Sequence, residues 1–213
     1  MEGLMTETEL TETLTKFMKG ASAPGVDGFT VNWLREFWPD LRKLVTNALN
    51  EMYGEGILSS MYREAIIRLL RKGEKKTLLP DNYRPISLLS IFYKLASATI
   101  TRRIKPVLSR LVGIEQKAYL SENNIGSVII NIINMIDFCN KKQKDALILL
   151  VDFQKAFYSI THNFIDSTLK LFGFGDSIRK WVRLFLKKGR LQSYWVDTCP
   201  KKSFWNRAYP RET

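Results

Sequence analysis

The chain has 213 residues, an apolar fraction of 45% and a net charge of +12. This composition excludes wholesale disorder, and it favours a polyanionic partner such as nucleic acid or a phosphorylated ligand, while an ordinary basic surface also fits it. Cys139, Cys199 and His162 are too few for a disulfide framework or a zinc site, so an intracellular, reducing compartment is expected. No signal peptide is recognisable, and no run of about 18 apolar residues predicts a membrane span.

The first 56 residues predict mainly helix. Residues 1–19 fit either a short helix or a loose leader. Apolar side chains recur at helical spacing over residues 31–53, and Pro39 is expected to divide that stretch into two helices. The glycines Gly54 and Gly56 are expected to end the second helix.

The next pieces predict a loop and two extended segments. Residues 22–29 contain Pro, Gly and Asp, which is typical of a loop. Residues 65–73 form a short strand-like run closed by a basic turn, and residues 80–90 form an extended segment bounded by proline.

The second half predicts helices around one strand. Apolar stripes at helical spacing predict helices over residues 92–111, where Pro106 fits poorly and is expected to kink or end the helix, and over residues 125–136. Residues 146–153 form a nearly continuous apolar run that is typical of a buried central strand. Two further helices are predicted at residues 162–172 and 176–188.

Asp152 closes the predicted buried strand. A carboxylate in that place is costly unless its charge is needed. Metal-dependent phosphoryl transfer has such a need, because Mg²⁺ prefers carboxylate and phosphate oxygens and a strand end holds a ligand rigidly. The alternative is structural: Asp152 caps the following turn or pairs with Lys155.

Five pieces of the sequence then point to one family. In chain order they are SAPGVDGF, AIIRLLRKG, NYRPISLLSIFYKLASATITRRIK, LILLVDFQKAFYSI and FGFG. In sequence, order and spacing these pieces resemble the reverse transcriptases of LINE-type (non-LTR) retrotransposons over about residues 20–190. The pieces NYRPISLL and DFQKAF are specific, whereas the short glycine pieces are weak alone.

The resemblance implies an α+β fold of the polymerase right-hand type, with helical fingers around a small sheet and the start of a palm. Its domains would be a leader (1–19), fingers (20–145), a partial palm with the first catalytic motif (146–190) and a degenerate or disordered tail (191–213). Neither the Gln-Gly-x-Pro-Leu-Ser-Pro motif nor the Asp-Asp turn of the family follows FGFG, so a truncated domain is expected.

The resemblance also assigns the palm residues. Asp152 matches the first catalytic aspartate, which binds Mg²⁺ together with the main-chain carbonyl of Phe153. Phe157 matches the aromatic gate that excludes a 2′-hydroxyl on the incoming nucleotide. Without the resemblance, Phe157 would fit an ordinary core aromatic.

In the fingers, Arg84 matches the arginine that grips the nucleotide triphosphate, and its alternative is a surface salt bridge, for example to Asp81. Lys72 or Arg71 stands where the family places a phosphate-binding cation, and a solvated strand end is the alternative. Four more basic residues would face the template backbone or simply form a charged helix face: Lys94, Arg102, Arg103 and Lys105.

The implied function is RNA-directed DNA synthesis on an RNA template with a DNA primer, deoxynucleotides and Mg²⁺. The chain departs from the family at Tyr158, where Asp is usual, and after Gln116, where the expected arginine is missing. Because the Asp-Asp turn is missing as well, the chain alone is expected to be inactive. The alternatives are a non-catalytic nucleic-acid-binding remnant of such an element and a relic without function.

Overall fold

A computed structural model describes residues 2–73, 82–113, 116, 125–153, 156, 159–187 and 190–192. Its elements are mostly helices with one small sheet, so the α+β class is confirmed. In chain order they are α1 (Glu7–Glu12), a π-helical turn (Thr13–Phe17), α2 (Val31–Glu36), α3 (Trp38–Glu55), α4 (Ser60–Arg63), β1 (Glu64–Arg71), β2 (Tyr83–Leu89), α5 (Ile91–Leu111), α6 (Ile125–Lys142), α7 (His162–Leu171), α8 (Asp176–Leu186) and β3 (Arg190–Gln192). Within the described ranges, none of the helices combines the length and apolar character that crossing a membrane requires.

The chain divides into two compact units. We call Leu4–Thr99 together with Leu184–Thr213 the hairpin unit, because it contains β1 and β2. We call Met1–Gly3 together with Ile100–Arg183 the aspartate unit, because it contains Asp152. The domain boundaries given by the family resemblance stay a prediction.

The start of the hairpin unit is helical, as the first alternative for residues 1–19 predicts. Thr6 and Glu9 form a reciprocal capping box that satisfies free amide groups in the first turn of α1. The side chains of Leu10 and Leu14 are fully buried. At the other end of this segment, the guanidinium of Arg35 donates to the main-chain carbonyl of Leu14 at 3.0 Å. This segment therefore contributes Leu10 and Leu14 to the folded core.

Proline and glycine divide the next two helices as predicted. Thr30 caps α2 by accepting a hydrogen bond from the amide of Trp33. Pro39 lies in the first turn of α3, where a proline needs no amide partner and its fixed φ suits the helix. Gly56 ends α3 in the left-handed region at φ 69°, whereas Gly54 stays inside the helix.

The hairpin unit contains a three-stranded sheet of order β2-β1-β3. β1 and β2 are antiparallel, in a register that runs from the pair Ala65 and Leu89 to the pair Arg71 and Tyr83. Both strands were predicted. β3 pairs parallel with β1, so Leu191 and Gln192 belong to the sheet although a tail was predicted there. Residues 193–213 lie outside the described residues.

The predicted helices of the aspartate unit are confirmed with one difference. α6, α7 and α8 cover the three stretches whose periodicity predicts helix. Pro106 does not end α5, which continues to Leu111. Several large apolar side chains of α6 are half exposed: Ile129, Ile130, Ile133, Met135 and Phe138.

The prediction of a buried central strand at residues 146–153 is wrong for this structure. Residues 144–153 have no regular secondary structure, and Leu147 and Leu150 are 91% and 85% exposed. A strand needs hydrogen-bonded neighbours on its edges, and no strand of the described residues pairs with this segment. The apolar run shows that residues 146–153 carry side chains suited to burial. Among the described elements, however, no strand pairs with them.

An ion-pair cluster joins α7 to α8. Arg179 donates to both carboxylate oxygens of Asp166, at 2.7 and 3.2 Å, and Arg183 donates to the same carboxylate at 3.0 Å. Arg179 also pairs with Asp176, whose side chain is 93% exposed. The hydrogen bonds from Arg179, helped by the charge of Arg183, hold the pKa of Asp166 below its usual value of 3.8.

An Asp166→Asn substitution is therefore expected to lower the melting temperature near neutral pH. A carboxyl group whose pKa is depressed in the folded state stabilises that state above its unfolded pKa, and this contribution is lost as the pH falls through the folded value. The difference in melting temperature between wild type and variant should shrink below pH 3.8. Asp176→Asn is the control, with a smaller loss expected. If the difference in melting temperature were the same near neutral pH and below pH 3.8, the ion pairs of Asp166 would not be its cause.

Candidate nucleotide and nucleic-acid interface

One face of the β1–β2 hairpin is buried near the start of β1, and the other face carries exposed side chains. Along β1, Ala65 and Ile67 are each 2% exposed, while Arg68 and Leu70 point to the other side and are exposed. Because side chains alternate along a strand and directly paired residues share a face, Arg84 on β2 lies opposite Leu70 on the exposed side. We call this side the cationic face.

Lys72 belongs to the same face. Its amide donates to the carbonyl of Asn82 at 2.7 Å, so the ladder continues one pair beyond Arg71 and the alternation places Lys72 with Arg84. Arg71 is exposed on the opposite face. The structure therefore brings Lys72 and Arg84 together, whereas Asp81, the alternative partner of Arg84, lies outside the described residues.

Arg68 is a third cation on this face and is not among the residues predicted from the sequence. It lies directly opposite Ile86 and diagonally across from Arg84. In the sequence, Arg68 and Lys72 stand four residues apart, a spacing that places both on one face of a strand. Only the pairing register with β2 shows that Arg84 shares this face. Among the residues that the structure describes, none forms an ion pair with Arg68 or Arg84.

The loop at residues 22–29 is fixed to the junction between β2 and α5. The carboxylate of Asp27 accepts hydrogen bonds from the amide of Ile91 at 2.8 Å and from the amide of Phe29 at 3.3 Å. Gly25 packs so closely that an added Cβ atom would lie 2.3 Å from the main chain of Leu89. This loop therefore braces the end of the strand that carries Arg84.

Lys94 contributes to the same junction. Its ammonium group donates to the carbonyl of Ala23 at 2.6 Å. Burial lowers the pKa of Lys94, and the charge of nearby Asp27 opposes that shift. Lys94 thus helps to hold the loop, a structural role that its predicted template contact does not include.

The prediction that Arg103 belongs to a basic outer face of α5 is wrong. Its side chain is 8% exposed and donates to the carbonyl of Gly3 at 2.9 Å. A charged group can be buried when such an acceptor is at hand. Lys105 is exposed and Arg102 is half-buried, so these two remain on the accessible side of α5.

Asp152 and Phe153 lie in the irregular segment of the aspartate unit. Both are exposed, and Phe153 is 77% exposed. Phe157 lies outside the described residues. Over the described part of the chain, no three side chains of the types His, Cys, Asp or Glu are grouped closely enough to hold a metal ion. One carboxylate and one main-chain carbonyl do not fit the near-octahedral demand of Mg²⁺, so these residues alone form no magnesium site.

A conserved-family match decides the classification of the chain. Residues 71–208, which contain Lys72, Arg84 and Asp152, match the family described as reverse transcriptase (RNA-dependent DNA polymerase). The chain belongs to the reverse transcriptase family. The sequence is also 30% identical over 203 residues to the transposon TX1 uncharacterized 149 kDa protein of Xenopus laevis.

The match to the TX1 protein covers 94% of this reverse transcriptase chain but only 15% of that relative. It extends across the hairpin unit and the aspartate unit alike. Together the two matches confirm the recognition, from the sequence, of a reverse transcriptase of the LINE type. The roles of individual residues remain predictions.

Proposed function

We propose that this chain forms the fingers and the beginning of the palm of an RNA-directed DNA polymerase of the right-hand fold, encoded by a non-LTR retrotransposon. The cationic face of the hairpin is the observation that carries the proposal. Lys72 and Arg84, which the family resemblance assigns to the nucleotide triphosphate, come from different strands and share one accessible face. A planar guanidinium beside an ammonium group suits a polyphosphate.

The proposed substrates are a deoxynucleoside triphosphate, an RNA template and a DNA primer. Arg84 and Lys72 would hold the triphosphate, and Phe157 would select against a 2′-hydroxyl. Asp152 and the carbonyl of Phe153 would be ligands for Mg²⁺. The described residues alone do not fit that ion. An intracellular setting is part of the proposal, and it rests on the few cysteines.

A second candidate is a nucleic-acid-binding protein without catalysis. It is favoured by the net charge of +12 and by the lack of a carboxylate cluster among the described residues. Both candidates require phosphate contacts. They differ in whether Asp152 supports DNA synthesis once the remaining ligands are supplied.

Binding to an RNA–DNA duplex tests the requirement that the two candidates share. We expect weak binding without sequence preference, and affinity that falls steeply between about 50 and 200 mM salt, because cationic side chains that contact phosphates release bound counterions. A fluorescence titration with a labelled duplex at several salt concentrations measures the slope.

The control is a peptide nucleic acid of the same base sequence, which lacks phosphates and should not bind. If the affinity for the phosphate-bearing duplex were independent of salt, phosphate contacts would not hold it, and the proposed interface would be wrong. Equal binding of the uncharged control would lead to the same conclusion.

A further inference from the structure

We propose that Arg68 is a third triphosphate-binding residue on the cationic face, acting beside Lys72 and Arg84. This inference rests on the proposed function, since those two residues are its nucleotide-binding pair. It goes beyond that function, because the family resemblance assigns no role to Arg68. Its basis is the register of the hairpin.

The register places the three cations around one cross-strand pair. Leu70 lies directly opposite Arg84, and Arg68 and Lys72 stand two residues before and after Leu70 on the same face. Diagonal neighbours of this kind in an antiparallel pair have Cβ atoms about 7–8 Å apart, within reach of long side chains. Arg84 is therefore flanked on both sides by a cation from the other strand.

The burial pattern fixes this orientation. Ala65 and Ile67, on the other face of β1, are each 2% exposed, so the strand cannot turn over without exposing core residues. On the cationic face, Leu70 and Ile86 are 45% and 41% exposed and form an apolar floor between the charged groups. Arginine stems can lie along such a floor while their guanidinium groups stay accessible.

The chemistry favours a ligand with adjoining phosphates. Arginine binds phosphate oxygens through paired N–H groups, whereas lysine offers a compact point charge. Two arginines and one lysine around a single residue pair bring three positive charges to one small area. A triphosphate presents its negative charges equally close together. Template phosphates share this chemistry and are the alternative that the experiment separates.

The experiment measures the affinity of the 213-residue chain for inorganic tripolyphosphate and for a fluorescent deoxynucleoside triphosphate. Variants Arg68→Ala and Arg84→Ala should each weaken both ligands by about tenfold, since each loses a charge-assisted contact. Arg71→Ala is the matched control. It removes the same charge from the same strand on the opposite face, and should change affinity by less than about twofold.

Several results would overturn the inference. Equal losses in Arg68→Ala and Arg71→Ala would show a net-charge effect rather than a site. A loss in Arg84→Ala with none in Arg68→Ala would remove Arg68 but leave the proposed nucleotide site intact. No loss in either Arg84→Ala or Lys72→Ala, or no binding by the wild-type chain, would remove the site itself.

Two further measurements keep the test decisive. Weaker binding of single-stranded RNA by Arg68→Ala, without weaker binding of tripolyphosphate, would assign Arg68 to the template and contradict the inference. Circular dichroism melting checks the fold of each variant. If the alanine variant melts below wild type, Arg68→Gln takes its place, because glutamine retains part of the side-chain length and still lacks the charge.

Discussion

An Asp152→Asn substitution is expected to abolish DNA synthesis in a chimera that joins this chain to the remaining palm of a related LINE-type reverse transcriptase. The change keeps the side-chain size and removes the charge that a metal ligand needs. The rate of primer extension on an RNA template should fall by roughly three orders of magnitude or more, as is usual when an essential catalytic group is removed.

The matched control for this prediction is Asp145→Asn. Asp145 is an exposed carboxylate in the same irregular segment, so its substitution makes the same change in charge and should leave the rate within about twofold. The unjoined chain should not extend a primer, because the family resemblance expects further metal ligands from an Asp-Asp turn that its sequence does not contain. Extension by the unjoined chain above a heat-killed control would contradict this account of the active site.

A Gly25→Ala substitution is expected to destabilise the hairpin unit strongly. An added Cβ atom would lie 2.3 Å from the carbonyl carbon and oxygen of Leu89 and 2.6 Å from the amide nitrogen of Ser90. All three are main-chain atoms, so the loop or the β2–α5 junction must move. Overpacking of this kind costs about 1–3 kcal/mol or more, and urea denaturation measures the lost free energy of unfolding.

Gly54→Ala makes the same chemical change but is expected to raise the stability. Gly54 lies inside α3, and a Cβ atom there would meet nothing within 4 Å. Alanine has the higher helix propensity, so this variant should be more stable by about 0.5–1 kcal/mol. If Gly25→Ala were as stable as wild type, the close packing of the loop against Leu89 would not hold the junction.

Local sequence was enough for the boundaries of several elements. Pro39 and Gly56 divide and end helices through their own backbone restrictions, which act whatever the distant chain does. The two hairpin strands were predictable for a similar reason. Their register was not, and a slip of one residue would move every side chain to the other face. The association of Arg68 with Arg84 therefore needed the structure.

The predictions that failed depended on distant partners. Arg103 reads as a surface cation, yet its acceptor is the carbonyl of Gly3, a hundred residues earlier in the chain. Residues 146–153 read as a central strand because their side chains are apolar, but apolar character does not specify which edge will pair with them. Lys72 and Arg84 could be proposed from the family motifs, while their common face follows from strand pairing.

The exposed apolar segment that ends at Asp152 could become ordered by pairing with another strand. Fixing the backbone of each residue costs about 1–2 kcal/mol in conformational entropy, and burial of side chains such as Leu147 and Leu150 against a neighbouring strand would offset that cost. The aspartate would then gain a fixed position at the moment its strand gains a partner. If Asp152 is the metal ligand that the family resemblance implies, its affinity for Mg²⁺ would depend on that pairing.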